Sequence, residues 1–390
     1  MMINRTLNIG IILLVIHPII SWANTDKVSP RINTIIATDN PQTPLYLATQ
    51  SGLYLAKDDG QITLLSQEKN NLTALAKDNH KLFSGGQTSE GANIGLGTSE
   101  DNGKNWTLSI TPSHFTGLSV GKNQVLYGLS NGVVRSNDGG KTWIKTVQVK
   151  ENIYNIAASK TLDDTVYITM DSGLLVSRDG GINWKPVFPV SLPALSLTVT
   201  SKGKLWTYIA GKGLIMTTEN KPKLDVVYNG FGQHVPMHAT VDESNHESLY
   251  ILGNKGQIWL TSDNGKSWDR LGGIPKPQST VAKKGETLFN QYCASCHGNL
   301  AVGESYSVQS LTDQKYIMAP ALDGSAHAWH HTDEQLTNTI LKGSPRTVRM
   351  PPWEKSLTKQ DSLDIITYFK GFWGRRELEC QGPKHMNCPY

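Results

Sequence analysis

A short motif, Ser/Thr-x-Asp-x-Gly-x-x-Trp, recurs along most of this sequence of 390 residues. Its copies stand about 40 residues apart, or twice that distance, which is a typical period for a structural repeat. Because one such unit cannot bury its own apolar face, the units must pack side by side around shared cores. Six copies are recognisable: four clear ones at residues 99–106, 136–143, 177–184 and 261–268, and two worn ones at 56–60 and 217–220.

Each copy follows two short apolar runs that alternate as β-strands do. Residues 45–48 and 52–55 form one such pair, and residues 166–169 and 173–176 form another. An earlier run and the run after the motif supply two further strands in each unit. Four strands in about 40 residues are the signature of a β-propeller blade. The sequence therefore predicts an all-β six-bladed propeller over residues 31–272.

The motif resembles the Asp-box, or BNR repeat, of sialidase-like propellers. In that family it is a hairpin between the third and fourth strands of a blade, and its residues are structural. The resemblance therefore supports a fold and not an activity. Sialidase or other glycosidase activity is not expected. A sialidase needs three arginines on its substrate, and this region has only Arg31, Arg135, Arg178 and Arg270. Of these, Arg135 and Arg178 lie in or next to the repeated motif, which is on the wrong edge of the blade in that family.

A second motif lies outside the repeats, at Cys293-Ala294-Ser295-Cys296-His297. Cys-x-x-Cys-His is the attachment signature of a c-type haem, in which Cys293 and Cys296 form thioethers and His297 is the proximal axial ligand. The alternative is a disulfide or a thioredoxin-like redox site. Such a redox site belongs in a βαβ pattern, whereas residues 285–292 are typical of a helix. The sequence thus predicts one covalent haem c.

Residues 281–373 resemble a class I c-type cytochrome, which implies a small all-α domain after the propeller. Residues 318–324 are similar to the family's Gly-Pro-x-Leu-x-Gly loop, and the resemblance implies that the backbone carbonyl of Pro320 accepts a hydrogen bond from His297. Residues 349–353 resemble the segment that carries the distal ligand, which implies Met350. Gly285 and Phe289 match the positions where the family's first helix packs against its last.

Rival distal ligands are present in the histidines of residues 325–331, namely His327, His330 and His331. A bis-His haem has a lower potential than a His/Met haem, so the choice bears on function. Basic residues flank the Met350 segment, and we expect them to form a docking rim for an acidic redox partner. They are Lys342, Arg346, Arg349 and Lys355.

The tail, residues 374–390, holds the other two cysteines, Cys380 and Cys388. A disulfide between them is the default in an exported protein. The alternative is a soft-metal site, because two thiolates with His385 and Met386 suit Cu(I). Between the two domains, residues 273–280 are rich in glycine and proline and predict a linker.

The first 23 residues are typical of a secretory signal peptide, with Arg5, an apolar run at 9–20 and Ser21-Trp22-Ala23 before a cleavage site. Export agrees with haem attachment outside the cytoplasm, so we expect a bacterial periplasmic or secreted protein. No other segment could span a membrane, and a formal charge of +4 is too weak to indicate a nucleic-acid partner.

These features favour a periplasmic single-haem electron carrier whose propeller serves as a docking or presentation platform. Two alternatives stay open. One is a periplasmic oxidoreductase with a substrate or metal site in the propeller that passes electrons to its own haem. The other is a non-enzymatic accessory or sensor protein, related to copper through its Cys/His/Met tail.

Overall fold

The computed structural model describes residues 30–388, apart from 39, 66–69, 110–113, 148–150, 245–247 and 275–276. The predicted signal peptide at residues 1–23 lies outside the described residues. Among the helices described, each is too short or too polar to cross a bilayer.

The first part of the chain forms six sheets, and each sheet has four antiparallel strands in chain order. The strands of the first three blades are β1 Ile32–Ala37, β2 Leu45–Thr49, β3 Gly52–Ala56 and β4 Ile62–Leu64; β5 Asn71–Asp78, β6 Lys81–Gln87, β7 Asn93–Ser99 and β8 Thr107–Ser109; β9 Gly117–Val120, β10 Leu126–Leu129, β11 Val133–Ser136 and β12 Ile144–Val147. Those of the last three are β13 Ile153–Ala158, β14 Val166–Met170, β15 Gly173–Ser177 and β16 Lys185–Pro186; β17 Ala194–Val199, β18 Lys204–Ile209, β19 Gly213–Thr218 and β20 Val226–Tyr228; β21 Pro236–Val241, β22 Leu249–Gly253, β23 Ile258–Thr261 and β24 Asp269–Arg270.

The six sheets close into a ring. The first strand of each blade contacts the first strand of the next, and β1 contacts β21. In the described part of the chain every blade is made of consecutive strands, so the closure involves no exchanged strand there. The closure instead uses a hydrogen bond from the Ala37 amide to Thr240 Oγ1 at 2.9 Å and a shared apolar core that includes Ile35 and Ile258. The predicted six-bladed propeller is therefore confirmed.

The four clear copies of the motif join the third and fourth strands of their blades, and we name them the repeat hairpins. In the first, the Ser99 hydroxyl donates to Asp101 at 2.8 Å and accepts from the Gly103 amide at 2.9 Å. Trp106 Nε1 donates to the Gly103 carbonyl at 3.0 Å. The equivalent bonds recur in the other three. Hydrogen bonds from Asn105 lower the pKa of Asp101 to about 2, so the carboxylate serves the turn.

The rest of the chain is helical. Its α-helices are α1 Thr280–Tyr292, α2 Ala294–His297, α3 Val308–Thr312, α4 Asp333–Lys342, α5 Lys359–Lys370 and α6 Arg375–Glu379. Short 3-10 turns lie at Lys122–Gln124 in the propeller and at Asn299–Ala301, His327–His330 and Gly382–Asn387 in the helical part. The expected all-β then all-α organisation is confirmed.

Helices α1 and α5 cross at very close range. A Cβ atom on Gly285 would lie 1.9 Å from the Asp364 carbonyl oxygen, so only glycine permits this approach. One turn later, Phe289 is fully buried and its ring centroid lies 5.3 Å from that of Tyr368. The end of α1, where the Cys-x-x-Cys-His motif begins, is thereby fixed on the core of the helical domain.

Candidate functional site

The C-terminal end of helix α1 positions the two cysteines and the histidine of the motif. Cys293 caps α1, and the next turn, α2, places His297 so that its amide donates to the Cys293 carbonyl at 2.8 Å. Neither Cys293 nor Cys296 forms a disulfide, although their spacing would allow one. Cys293 is partly buried and Cys296 is exposed. Burial raises the pKa of the Cys293 thiol to about 12.

His297 is buried, with 8% of its surface exposed. Its Nδ1 donates to the Pro320 carbonyl at 2.8 Å. Because Nδ1 then carries the proton, Nε2 keeps its lone pair and is available to a metal. Burial lowers the pKa of His297, and the Pro320 carbonyl opposes that shift only in part. The structure thus holds this side chain as a neutral, oriented imidazole.

The chain after His297 turns back to bring Pro320 under the ring. Gly298 has a φ of 72°, and a Cβ atom on it would lie 2.5 Å from the Gly303 carbonyl oxygen. The Gly303 amide donates to the His297 carbonyl at 2.7 Å. Farther along, the Leu322 amide donates to the Ala301 carbonyl at 2.8 Å and fixes the loop that holds Pro320.

Met350 lies in the loop between α4 and α5. Its carbonyl accepts from the Ser344 amide at 3.0 Å. Its side chain is partly buried against the core of the helical domain, the same core that Cys293 and Leu322 pack against. The structure therefore brings Met350 into the neighbourhood of the attachment motif.

Glu304 links the loop that carries Pro320 to the segment that carries Met350. The sequence alone did not reveal this role. Its carboxylate accepts two hydrogen bonds from the Arg349 guanidinium, at 2.8 and 2.9 Å, and others from Tyr316 at 2.6 Å and the Ala319 amide at 2.9 Å. Although burial favours a raised pKa, the hydrogen bonds from Arg349 and Tyr316 lower the pKa of Glu304. The proximal loop and the Met350 segment are thus tied together. The one sequence feature that could have pointed to Glu304 is that it is the single acidic residue between His297 and Asp313.

The rival histidines lie close to one another, and His330 also lies against Trp329, with ring centroids 4.2 Å apart. His327 and His331 are exposed, with ring centroids 6.0 Å apart. The His330 ring stacks on that of His385, with centroids 4.2 Å apart. Cys380 and Cys388 are joined as a disulfide, which leaves neither thiolate for a metal. Among the described residues, no group of three or more His, Cys, Asp or Glu side chains could hold a metal ion.

Two of the four expected docking cations are engaged within the domain. Arg349 is bound to Glu304, and Lys342 pairs with Glu354. Arg346 and Lys355 are exposed and make no ion pair among the described residues. Val348 between them is 95% exposed, so the Met350 segment is open to solvent.

The helical domain is seated on the propeller through its proximal loop. Val302 is 1% exposed and packs into a propeller core that contains Phe231 and Trp259. The Gln233 amide donates to the Val302 carbonyl at 2.9 Å, and the Gly232 amide donates to Ser305 Oγ at 3.1 Å. A Cβ atom on Gly232 would lie 2.3 Å from the Val302 carbonyl oxygen, so the two backbones touch.

A buried charge network strengthens this contact. Asp323 of the helical domain accepts a hydrogen bond from His234 Nε2 at 2.7 Å, and the Arg270 guanidinium lies 3.5 Å away. His234 is 0% exposed and Asp323 is 6% exposed. Burial opposes ionisation of Asp323, but the hydrogen bond from His234 and the charge of Arg270 lower its pKa. Their mutual pairing offsets much of the loss of water, although Arg270 Nε is buried without a hydrogen-bond partner among the described residues.

The contact uses one face of the propeller. The propeller residues that contact the helical domain lie in three places. These are the β20–β21 connection, Gly211 in the β18–β19 turn, and the end of β24. In an antiparallel blade these connections share one face, and the repeat hairpins lie on the other. The repeat hairpins are therefore not covered by the helical domain.

A cavity of about 480 Å³ runs along the propeller axis and is lined by the first strands of all six blades. Its lining includes His238, whose pKa burial lowers to about 4. Lys160 and Glu243 form an ion pair of 3.3 Å where those strands end, on the face of the repeat hairpins. A propeller substrate site, as the oxidoreductase alternative requires, would be expected here.

The residues of the helical domain fit a covalently bound haem. Two unpaired thiols lie on one helical turn beside an imidazole with an available Nε2, and a thioether packs on the same core. Helix α4 also borders this core, and the buried Thr337 hydroxyl in it has no hydrogen-bond partner among the described residues. Haem iron accepts this donor set of imidazole and thioether.

Comparison with known proteins gives separate results for the two parts. One curated relative is a probable oligoxyloglucan-reducing end-specific xyloglucanase of Neosartorya fischeri, 25% identical over 159 residues, which cover 36% of this chain and 19% of the relative. Similar solved structures are a GH74 enzyme of Niastella koreensis, with 18% identity and a TM-score of 0.49, and the GH74 xyloglucanase of Xanthomonas campestris, with 17% identity and a TM-score of 0.46. Each match covers 62% of this chain and 45% of the other. The chain thus spans less than half the length of these relatives.

The helical part, residues 280–369, matches the family described as cytochrome C oxidase, cbb3-type, subunit III, and is therefore a cytochrome c-type domain.

Proposed function

We propose that this chain is a periplasmic single-haem c-type cytochrome that transfers electrons through a His/Met-ligated haem, with the propeller as its platform. The observation that carries the proposal is the Nδ1 hydrogen bond of His297 to Pro320 beside two unpaired thiols. When bound, the haem would supply one-electron exchange at its iron.

The chain's own residues would bind, orient and shield that group. Cys293 and Cys296 would fix it covalently, and the bond from His297 to Pro320 would hold the imidazole at one angle. Met350 would provide the distal thioether from the opposite loop. The Glu304–Arg349 pair would keep the two loops at a constant separation. A site held rigidly in both redox states loses little energy to reorganisation, which suits an electron carrier.

Periplasmic location is supported by two features of the chain. The Cys380–Cys388 disulfide is typical of an oxidising compartment. Residues 1–23 have the pattern of a signal peptide. The copper-related alternative is not proposed, because the disulfide removes both of its thiolate ligands.

Replacing Cys293 and Cys296 together with serine should abolish covalent haem. The wild-type full chain, expressed with periplasmic haem attachment, should keep one haem per chain through denaturing gel electrophoresis with haem staining. The double variant should keep none, because serine forms no thioether. Cys380→Ser with Cys388→Ser is the matched control and should keep its haem. Wild-type protein without covalent haem would contradict the proposed function.

We further propose that an acidic redox partner docks at the basic rim beside Met350, chiefly through Arg346 and Lys355. These two cations are exposed and unpaired within the described residues, whereas Lys342 and Arg349 are already neutralised. Opposite charges at such a rim raise the rate of encounter rather than the affinity.

Anionic hexacyanoferrate(III) can serve as the probe of this rim. Its rate of oxidation of the reduced protein should fall with rising salt, and Arg346→Glu with Lys355→Glu should lower that rate about tenfold at low salt. Lys342→Gln with Glu354→Gln is the control and should have a much smaller effect, because it removes a paired cation and anion together and leaves the net charge of the rim unchanged. A rate that does not respond to salt would contradict the docking rim.

A further inference from the structure

The carbonyl that orients His297 belongs to Pro320, and the loop that carries it is held by a residue of the propeller. Gln233 Nε2 donates to the Ala319 carbonyl at 3.2 Å, and Gln233 Oε1 accepts from the Ala321 amide at 3.2 Å. One side-chain amide thus bonds the peptide groups on both sides of Pro320. Proline has no N–H of its own, so these neighbouring groups are the ones by which its position can be fixed.

Gln233 is itself firmly placed. Its amide bonds the Val302 carbonyl at 2.9 Å, and Val302 is buried among propeller aromatic rings. The next residue, His234, is bound to Asp323 at 2.7 Å. Gln233 and His234 are therefore both held at the interface, and the Gln233 side chain bonds the residues on either side of Pro320.

We propose that Gln233 is a positioning residue of the haem site, through which the propeller sets the reduction potential of the cytochrome domain. The inference rests on the proposed function, because it requires His297 to ligate a haem iron. By holding the Pro320 carbonyl in line with Nδ1–H, Gln233 strengthens that hydrogen bond and makes the imidazole a more basic ligand. A more basic ligand stabilises the oxidised iron and lowers the midpoint potential. The propeller is then part of the redox centre and not only a support for it.

The test is the midpoint potential of the haem-loaded full chain carrying Gln233→Ala. The potential should rise, because the Pro320 carbonyl is released and the His297 bond weakens. In the reduced protein, the Nδ1 proton of His297 should exchange with solvent up to about tenfold faster by NMR, because the hydrogen bond that protects it is weakened. Gln233→Met, which nearly keeps the size of the side chain and its neutral charge but loses both hydrogen bonds, should shift both quantities in the same direction and covers failure of the alanine variant to fold.

Ser305→Ala is the matched control. Ser305 Oγ bonds the Asn229 carbonyl at 2.6 Å and the Gly232 amide at 3.1 Å in the same interface, and among the described residues its side chain makes no hydrogen bond to residues 319–321. This variant should weaken the interface and leave the potential and the proton exchange unchanged. An unchanged potential in both Gln233 variants, or an equal shift in Ser305→Ala, overturns the inference alone. Absence of covalent haem from the wild-type chain overturns the proposed function and the inference with it.

Discussion

Replacing Met350 with alanine should lower the midpoint potential of the haem by on the order of 0.1 V and abolish the charge-transfer absorption band of oxidised His/Met haem. A thioether is a soft ligand that favours the reduced iron, and axial ligands tune haem potentials over a wide range. Water or a less suited side chain would take the vacated position in Met350→Ala. Since Met350 is only partly buried, the fold should survive the change.

Met318→Ala is the control for this measurement. Met318 is also partly buried but does not pack on the core that contains Phe289 and Met350. Its replacement should leave the absorption band and the potential as they are. A band that persists in Met350→Ala would contradict distal ligation by Met350. Absence of the band from the wild-type protein, together with a changed haem spectrum in His330→Ala, would transfer that role to the histidine cluster.

Replacing Gly285 with alanine should destabilise the cytochrome domain by about 3 kcal/mol, at the upper end of the cost of overpacking. The added Cβ would meet the Asp364 carbonyl oxygen at 1.9 Å, and backbone cannot yield as the end of a flexible side chain can. Helices α1 and α5 would have to separate. Their separation would also disturb the ion pairs of Lys284 with Asp361 at 2.7 Å and Asp364 at 2.8 Å.

Denaturant unfolding of the haem-loaded protein, followed by haem absorbance, measures this effect. Gly371→Ala is the matched control, because Gly371 has helical backbone angles at the end of α5 and the nearest atom to an added Cβ is the Tyr368 carbonyl oxygen at 3.0 Å. It should change the free energy of unfolding by less than about 1 kcal/mol. Equal stability of Gly285→Ala and wild type would show that the helices do not cross as described.

The sequence alone predicted those elements whose residues form a local motif or a regular repeat. The repeats determined six blades, because each copy pairs a tight turn with strands of fixed spacing. The attachment motif and the loop of Pro320 could be recognised because their residues act together. The structure places His297 and Pro320 at hydrogen-bond distance, and Met350 on the same core.

The features that the sequence did not predict depend on tertiary contacts, which leave no recognisable pattern in a single sequence. Arg349 reads as a surface cation, and its pairing with Glu304 arises only when two distant loops meet. Gln233 lies in a short connection between strands, and nothing in the neighbouring sequence points to Pro320. The seating of one domain on the other was likewise beyond prediction, since it depends on Val302 filling a space that the propeller leaves between its aromatic rings.

The position of the cytochrome domain on one face of the propeller has a consequence for assembly. The axial cavity ends in the Lys160–Glu243 pair on the opposite face, and Val348 marks the open side of the Met350 segment. A ligand at the first place and a redox protein at the second would not compete for space. The interface between the domains is buried and hydrogen-bonded, so the two places lie on opposite sides of one assembly. For the proposed electron carrier, this arrangement would let a ligand stay bound to the propeller while redox partners exchange beside Met350.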